Sequence, residues 1–212
     1  MLKAFMCGLV AITFSSAAAG KEVPAEKGRL LIEEKFDAAE VSAKVFKGGI
    51  GEWKVANGVV HGTELAKDNH PAAGRLSCET RDAIFEFRFR ITENGESFNC
   101  GFDPAKGELD KKGHLWSVSI SGGKWRLAKA PDKNKPKEDP AKTLDQGEIS
   151  VKKGEWYTMR IVSRGNKVSV AVGDSVLSAE HSSFHVKKPS LIFRCKGDGI
   201  EVDDIRIWEV KE

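Results

Sequence analysis

Between Ala83 and Thr92 the side chains alternate: Phe85, Phe87, Phe89 and Ile91 fall at one parity, and Glu86, Arg88 and Arg90 at the other. In an extended chain a period of two puts these sets on opposite faces, so the pattern predicts a half-buried strand. The same period returns in His114–Ser121, where Trp116, Val118 and Ile120 align, and in Trp156–Ser163, where Tyr157, Met159 and Ile161 do. It returns again in Lys167–Val172 with Val168, Val170 and Val172. Turn signals separate these runs. Gly122-Gly123 leads back into Trp125 and Leu127, Gly165-Asn166 joins two of the runs, Gly173-Asp174 ends the last, and Gly197-Asp198-Gly199 divides Ser190–Cys195 from Ile200–Val210. Near the start, Trp53–Ala56 and Val59–Gly62 flank Asn57-Gly58, a strong hairpin signal.

The closing run changes parity. Ile200 and Val202 share one face, whereas Ile205 and Ile207 require the other, which predicts a bulge at Asp203-Asp204. Helical signal is confined to the capping-box spacing Asp37-Ala38-Ala39-Glu40, and Gly48-Gly49 cuts short anything that starts there. The lysine-rich stretch Lys129–Gly147, with Pro131, Pro136 and Pro140, reads as a long solvated loop. Many short strands, frequent turns and almost no helix define an all-β chain, a sandwich or barrel.

With 212 residues, 40% of them hydrophobic, the chain has material for one core and one domain. Disorder is excluded by that hydrophobicity. The 34 basic and 31 acidic residues interleave, so nothing marks a nucleic-acid partner. Residues 1–20 have the three parts of a secretory signal: Lys3, an apolar run from Ala4 to Phe14, and Ser15-Ser16-Ala17-Ala18-Ala19. The apolar run is too short to span a bilayer and no other stretch approaches that length. The expectation is a secreted, periplasmic or extracellular, domain over residues 21–212 with no transmembrane segment. Beyond Cys7 the cysteines are Cys78, Cys100 and Cys195, an odd number, which read most simply as small buried apolar side chains.

Three constellations could carry chemistry. Glu201-Val202-Asp203-Asp204-Ile205-Arg206 begins like the Glu-x-Asp-x-x-Glu strand of sandwich-fold glucanases, but Ile205 and Arg206 stand where the last Glu belongs. His61, Glu64, Asp68, Asn69 and His70 crowd into ten residues and could ligate a divalent cation or transfer protons. Finally, Glu86, Arg88, Arg90, Ser117, Ser119, Arg160 and Arg194 occupy polar parities of strands, where forked guanidinium groups can grip sugar hydroxyls, and His114 could reach the same surface.

Taken in order, the hairpin Trp53–Gly62, the strand Phe85–Ile91, the segment Gly154–Ile161 and the closing Val202–Trp208 resemble the 3-keto-disaccharide hydrolase domain family over roughly residues 30–210. The resemblance implies a concanavalin A-like jelly-roll of two antiparallel sheets, export, and hydrolysis or binding of oxidised glycosides. On this reading His61, Glu64, His70 and His114 supply acid–base groups or metal ligands. Asp68, Asn69, Glu86, Arg88, Arg160 and Arg194 hold the carbohydrate on one concave sheet. The only cofactor suggested is a divalent cation. The alternatives are a lectin-like binding module without turnover and a structural envelope protein.

Overall fold

Phe85, Phe87 and Phe89 all point into the protein, each no more than 1% exposed. They lie on β6 (Ala83–Ile91), the strand whose alternation is clearest in the sequence. The structure, a computed structural model, describes residues 22–38 and 45–212. The secretory signal and half of the capping box, Ala39 and Glu40, therefore lie outside the described residues. Before β6 come β1 (Lys27–Glu34), β2 (Phe46–Ile50), β3 (Glu52–Ala56), β4 (Val59–Thr63) and β5 (Ala72–Thr80). After it come β7 (Gly95–Phe102), β8 (Trp116–Ser121), β9 (Lys124–Lys129), β10 (Lys142–Glu148) and β11 (Tyr157–Arg164). The chain ends with β12 (Lys167–Val172), β13 (Ser175–Glu180), β14 (Lys188–Gly197) and β15 (Ile200–Val210).

The strands form two antiparallel sheets. The first runs β13-β12-β11-β6-β15-β4-β3, with β1 also on β15; the second runs β10-β9-β8-β7-β14-β5-β2. This is the expected jelly-roll sandwich. Helical structure among the described residues amounts to two single 3-10 turns, Ala66–Asp68 and Ser182–Phe184. No helix among them is long and apolar enough to cross a membrane.

Rings from both sheets meet in the core. Phe89 stacks on Phe98 of β7 with centroids 4.5 Å apart, and Phe87 meets Phe193 of β14 edge-on at 5.2 Å. Offset and edge-on arrangements of this kind add to the stabilisation that burial itself gives.

The bulge in β15 falls at the predicted place. Its register against β6 shifts between Asp203 and Arg206, and Asp204 takes a left-handed φ of 49°. The shift lets Ile200, Val202, Ile205 and Ile207 all reach the core. It also changes partners: Ile200–Val202 pair with β4, and Ile205–Val210 pair with β1.

The Lys129–Gly147 stretch is not the uninterrupted loop that its composition suggests. Lys142–Glu148 forms β10, an edge strand zipped onto β9 by backbone hydrogen bonds that need no apolar alternation. Lys129 and Asp132 are buried at its start: Lys129 pairs with Asp139, and Asp132 accepts from the backbone N–H groups of Lys112 and Asn134. Cys78, Cys100 and Cys195 are free and buried. Burial pushes the Cys78 and Cys195 thiols up to about 12.

Lys188 is fully buried, with Nζ donating to the carbonyls of Arg81 at 2.6 Å and Val186 at 2.9 Å. Desolvation lowers its pKa to about 8.

Replacing Phe89 by Ala should cost about 3–5 kcal/mol in denaturant unfolding, because the ring removed contacts both sheets. Between pH 8 and the unfolded lysine value of 10.5, the unfolded chain binds the Lys188 proton and the folded one does not. Stability relative to Lys188→Met should therefore rise with pH across that window and stay level below it; a pH-independent difference would contradict the assignment.

Candidate functional site

On the outer face of the second sheet, one cross-strand row runs through successive strands. Ala73 of β5 pairs with Arg194 of β14, Arg194 with Asn99 of β7, and Asn99 with Ser119 of β8. Ser119 pairs with Arg126 of β9, and Arg126 with Gln146 of β10. The apolar parity of these strands fills the core, so the polar parity necessarily comes together outside.

Asp103 and His114 stand at one end of this face. They flank the connection between β7 and β8, whose base is closed by Leu115 N–H donating to the Phe102 carbonyl at 2.8 Å. Gly113, at φ 112°, turns the chain back just before His114 in a conformation that side chains disfavour. His114 Nδ1 lies 2.5 Å from Asp103 Oδ1, and an Arg75 nitrogen lies 3.6 Å from Asp103 Oδ2. Burial alone would raise the Asp103 pKa. The hydrogen bond and charge of His114, with Arg75 and Arg194, outweigh it and hold the carboxyl below its ordinary value. An ionised carboxylate can only accept, so Nδ1 carries the proton between the two groups, and whenever the imidazole is neutral its lone pair lies on Nε2.

Arg194 covers that imidazole. One guanidinium nitrogen donates to Asn99 Oδ1 at 2.9 Å; the other is 3.0 and 3.1 Å from the two ring nitrogens of His114. An atom that close to both nitrogens could lie in the ring plane only by overlapping ring carbons. That nitrogen therefore sits over the ring face, in contact with both Nδ1 and Nε2. Burial lowers the Arg194 pKa, with the Asp103 charge opposing; arginine stays charged regardless.

A trough of about 360 Å³ opens here, lined by His70, Asn99, His114, Ser119, Arg194 and Lys196 among others. It adjoins a groove of about 350 Å³ with which it shares His70, Pro71 and Lys196, and which Glu64 and Asn69 also line. Through Ser119 it adjoins a third, of about 490 Å³, bordered by Arg126, Gln146 and Glu148.

The residues singled out in the sequence divide between two faces. His114, Arg194, His70, Asn69 and Glu64 border the trough and its adjoining groove. Glu64 is held in a backbone link, accepting from Gly197 N–H at 3.0 Å, and Asp68 accepts from Gly51 N–H at 2.8 Å. His70 Nδ1 is 2.7 Å from the Pro71 carbonyl. Glu86, Arg88 and Arg160 lie on the outer face of the first sheet, where Arg160 meets Glu22 and Glu86, and Arg88 meets Asp203 and Asp204. His61 shares that face, with Nε2 at 3.0 Å from Thr63 Oγ1 and Nδ1 at 3.7 Å from Glu201. A single surface holding Arg88, Arg160 and Arg194 is thus not formed. Alternation reports which side of a strand a residue takes, but β6 and β11 belong to one sheet and β14 to the other.

The Glu201–Arg206 carboxylates also lie away from the trough, on β15. Nor do the carboxylates and histidines of the His61–His70 segment converge: among the described residues, no three His, Cys, Asp or Glu side chains gather where they could hold a metal ion. Asp103, Arg75, Asn99 and Arg126 carried no signal of their own residue type. For Asn99 and Asp103 a signal was present in Phe98, Cys100 and Phe102, whose spacing marks a strand with Asn99 on its polar side and Asp103 just beyond its end.

This architecture defines the concanavalin A-like and galectin-like class of sandwich. No family model and no curated protein sequence matches the chain. Among solved structures, the laminarinase from Rhodothermus marinus superimposes with a TM-score of 0.64 at 12% identity, over 87% of this chain and 98% of its own. A Bacillus subtilis protein of unknown function with a galectin-like fold gives 0.63 at 13%, over 88% and 99%. The carbohydrate-binding module CBM66 from the same organism gives 0.52 at 13%, over 79% and 94%. Similarity at this level establishes the fold.

The Asp103 contact should fix the His114 tautomer. In nitrogen-15 spectra recorded where the imidazole is neutral, His114 should carry its proton on Nδ1, and Asp103→Ala should redistribute it toward Nε2. An unchanged tautomer in the variant would remove Asp103 from this role.

Proposed function

We propose that this chain is an exported carbohydrate-active domain that takes a glycoside in the trough on the second sheet, and that its substrate is a glycoside oxidised at C3. The observation that carries the reading is His114: its Nδ1–H is held by Asp103, an Arg194 guanidinium nitrogen lies against its ring, and its Nε2 borders an open trough. The resemblance of the sequence to 3-keto-disaccharide hydrolases and the signal-like residues 1–20 support it. So does the fold, shared with a laminarinase and with a carbohydrate-binding module.

A ketone at C3 makes the neighbouring C2–H acidic. His114 Nε2 takes that proton as general base, Asp103 stabilises the imidazolium formed, and the Arg194 charge favours the enolate oxygen. The enolate expels the oxygen substituent on C1, which leaves with a proton, giving a ketone conjugated to a C1–C2 double bond. Water then adds at C1 and a proton returns to C2. One water is consumed and the glycosidic bond is broken, without the paired carboxylates that ordinary glycoside hydrolysis uses. His70, exposed on the same trough, is placed to protonate the leaving oxygen.

A lectin-like module is the second reading. The row Arg194–Asn99–Ser119–Arg126 favours it, since a strip of hydroxyl-binding groups needs no chemistry to serve recognition.

With a 3-keto-disaccharide as substrate, His114→Ala should lower turnover by about 10²–10⁴-fold, typical for loss of a general base. In heavy water, substrate recovered from the unaltered protein should carry deuterium at C2. Turnover that survives in His114→Ala removes the mechanism. Binding that is abolished in Arg194→Ala, with no product from the unaltered protein, assigns the module instead.

A further inference from the structure

The two outer faces treat charge differently. On the first sheet the arginines of the central strands meet acids: Arg88 with Asp203 and Asp204, Arg90 with Glu201, Arg160 with Glu22 and Glu86, and Arg206 with Glu33. On the second sheet Lys124, Arg126, Arg194 and Lys196 border the grooves, and none has a carboxylate within ion-pair distance among the described residues. The acids nearby close no ion pair with them, although the Asp103 charge acts on Arg194 from beyond that distance. Asp103 is engaged by His114 and Arg75, Glu64 accepts from Gly197 N–H, and Glu148 stands opposite Lys124 in the β9–β10 register without closing a pair.

From this asymmetry we infer that the trough takes an acidic oligosaccharide, one with carboxylate or sulfate groups spaced along its length. The inference rests on the reading of the trough as a sugar site and names its substrate class. Arg194 and Arg126 occupy the same cross-strand row three strands apart, about 14 Å at the ordinary strand spacing. That separation suits two acidic groups on different rings of one oligomer, not a single small anion. Asn99 and Ser119 lie between them and offer amide and hydroxyl groups to the uncharged part of the ligand. Lys196 lies two residues beyond Arg194 on β14, about 7 Å along the strand, and extends the positive border toward His70. Arginine suits this task because its planar fork matches a carboxylate or sulfate with two parallel hydrogen bonds.

Calorimetric titration tests this with four ligands: an oligogalacturonate, a sulfated galactan oligomer, a neutral oligosaccharide of equal length, and inorganic polyphosphate. One or both acidic oligosaccharides should bind at least about tenfold tighter than the neutral one, and which of them does so tells carboxylate from sulfate. The double variant Arg126→Gln/Lys196→Gln, which alters two exposed side chains and leaves His114 and Arg194 in place, should lose about tenfold more affinity for the acidic ligand than for the neutral one. Equal affinity for neutral and acidic oligomers in both proteins would overturn the acidic preference and leave the sugar site standing. Polyphosphate bound as tightly as the acidic sugars would reduce the effect to charge alone and overturn it too. Failure to bind any oligosaccharide would overturn the sugar reading beneath it.

Discussion

The fold depends on one contact layer: phenylalanines from facing sheets that interlock across the sandwich. Phe87 and Phe89 from β6 meet Phe98 from β7 and Phe193 from β14. β6 and β14 are interior strands of their sheets, flanked on both sides. Once their rings are registered, the opposite parity of each strand has nowhere to go but outward. The trough is a consequence of that layer: Asn99 lies outside because Phe98 and Cys100 lie inside, and Arg194 because Phe193 and Cys195 do.

The two outer faces have the same origin and different chemistry. One is a lattice of ion pairs whose members satisfy each other, as a solvent-facing sheet can. The other concentrates cations, amides and hydroxyls beside a histidine oriented by an aspartate. Orienting an imidazole through Nδ1 commits one nitrogen and leaves the other for work. The Arg194 guanidinium nitrogen over the ring places positive charge close to that nitrogen.

Much of the sandwich was legible in the sequence, because burial of one face imprints a period of two on strands such as β6, β8, β11 and β12. The bulge was legible as well: a strand whose inward parity changes between Val202 and Ile205 has to gain a residue there to keep both ends in the core. Strands that obtain their pairing from backbone alone left no such imprint; β10, with the sequence Lys142-Thr143-Leu144-Asp145-Gln146-Gly147-Glu148, is the clear case. The candidate site was half legible. His114, Arg194, His70 and Asn69 were found by residue type, but whether Arg88 and Arg160 join them depends on sheet membership, which local alternation does not encode. Asp103 was missed because its role comes from a partner 11 residues away, brought alongside by the β7–β8 ladder.

The partner change at Asp203-Asp204 has a consequence for how the chain can be shortened. β15 divides one of its edges between the N-terminal strand and the β3–β4 hairpin, and β1 alone covers Ile205–Val210. A fragment trimmed back to Phe36 would keep its core phenylalanines and the trough untouched, yet it would bare the amides and carbonyls of that stretch beside an apolar surface. Such a border invites a neighbouring molecule to add its own strand, so the first symptom of truncation would be self-association, well before loss of the fold.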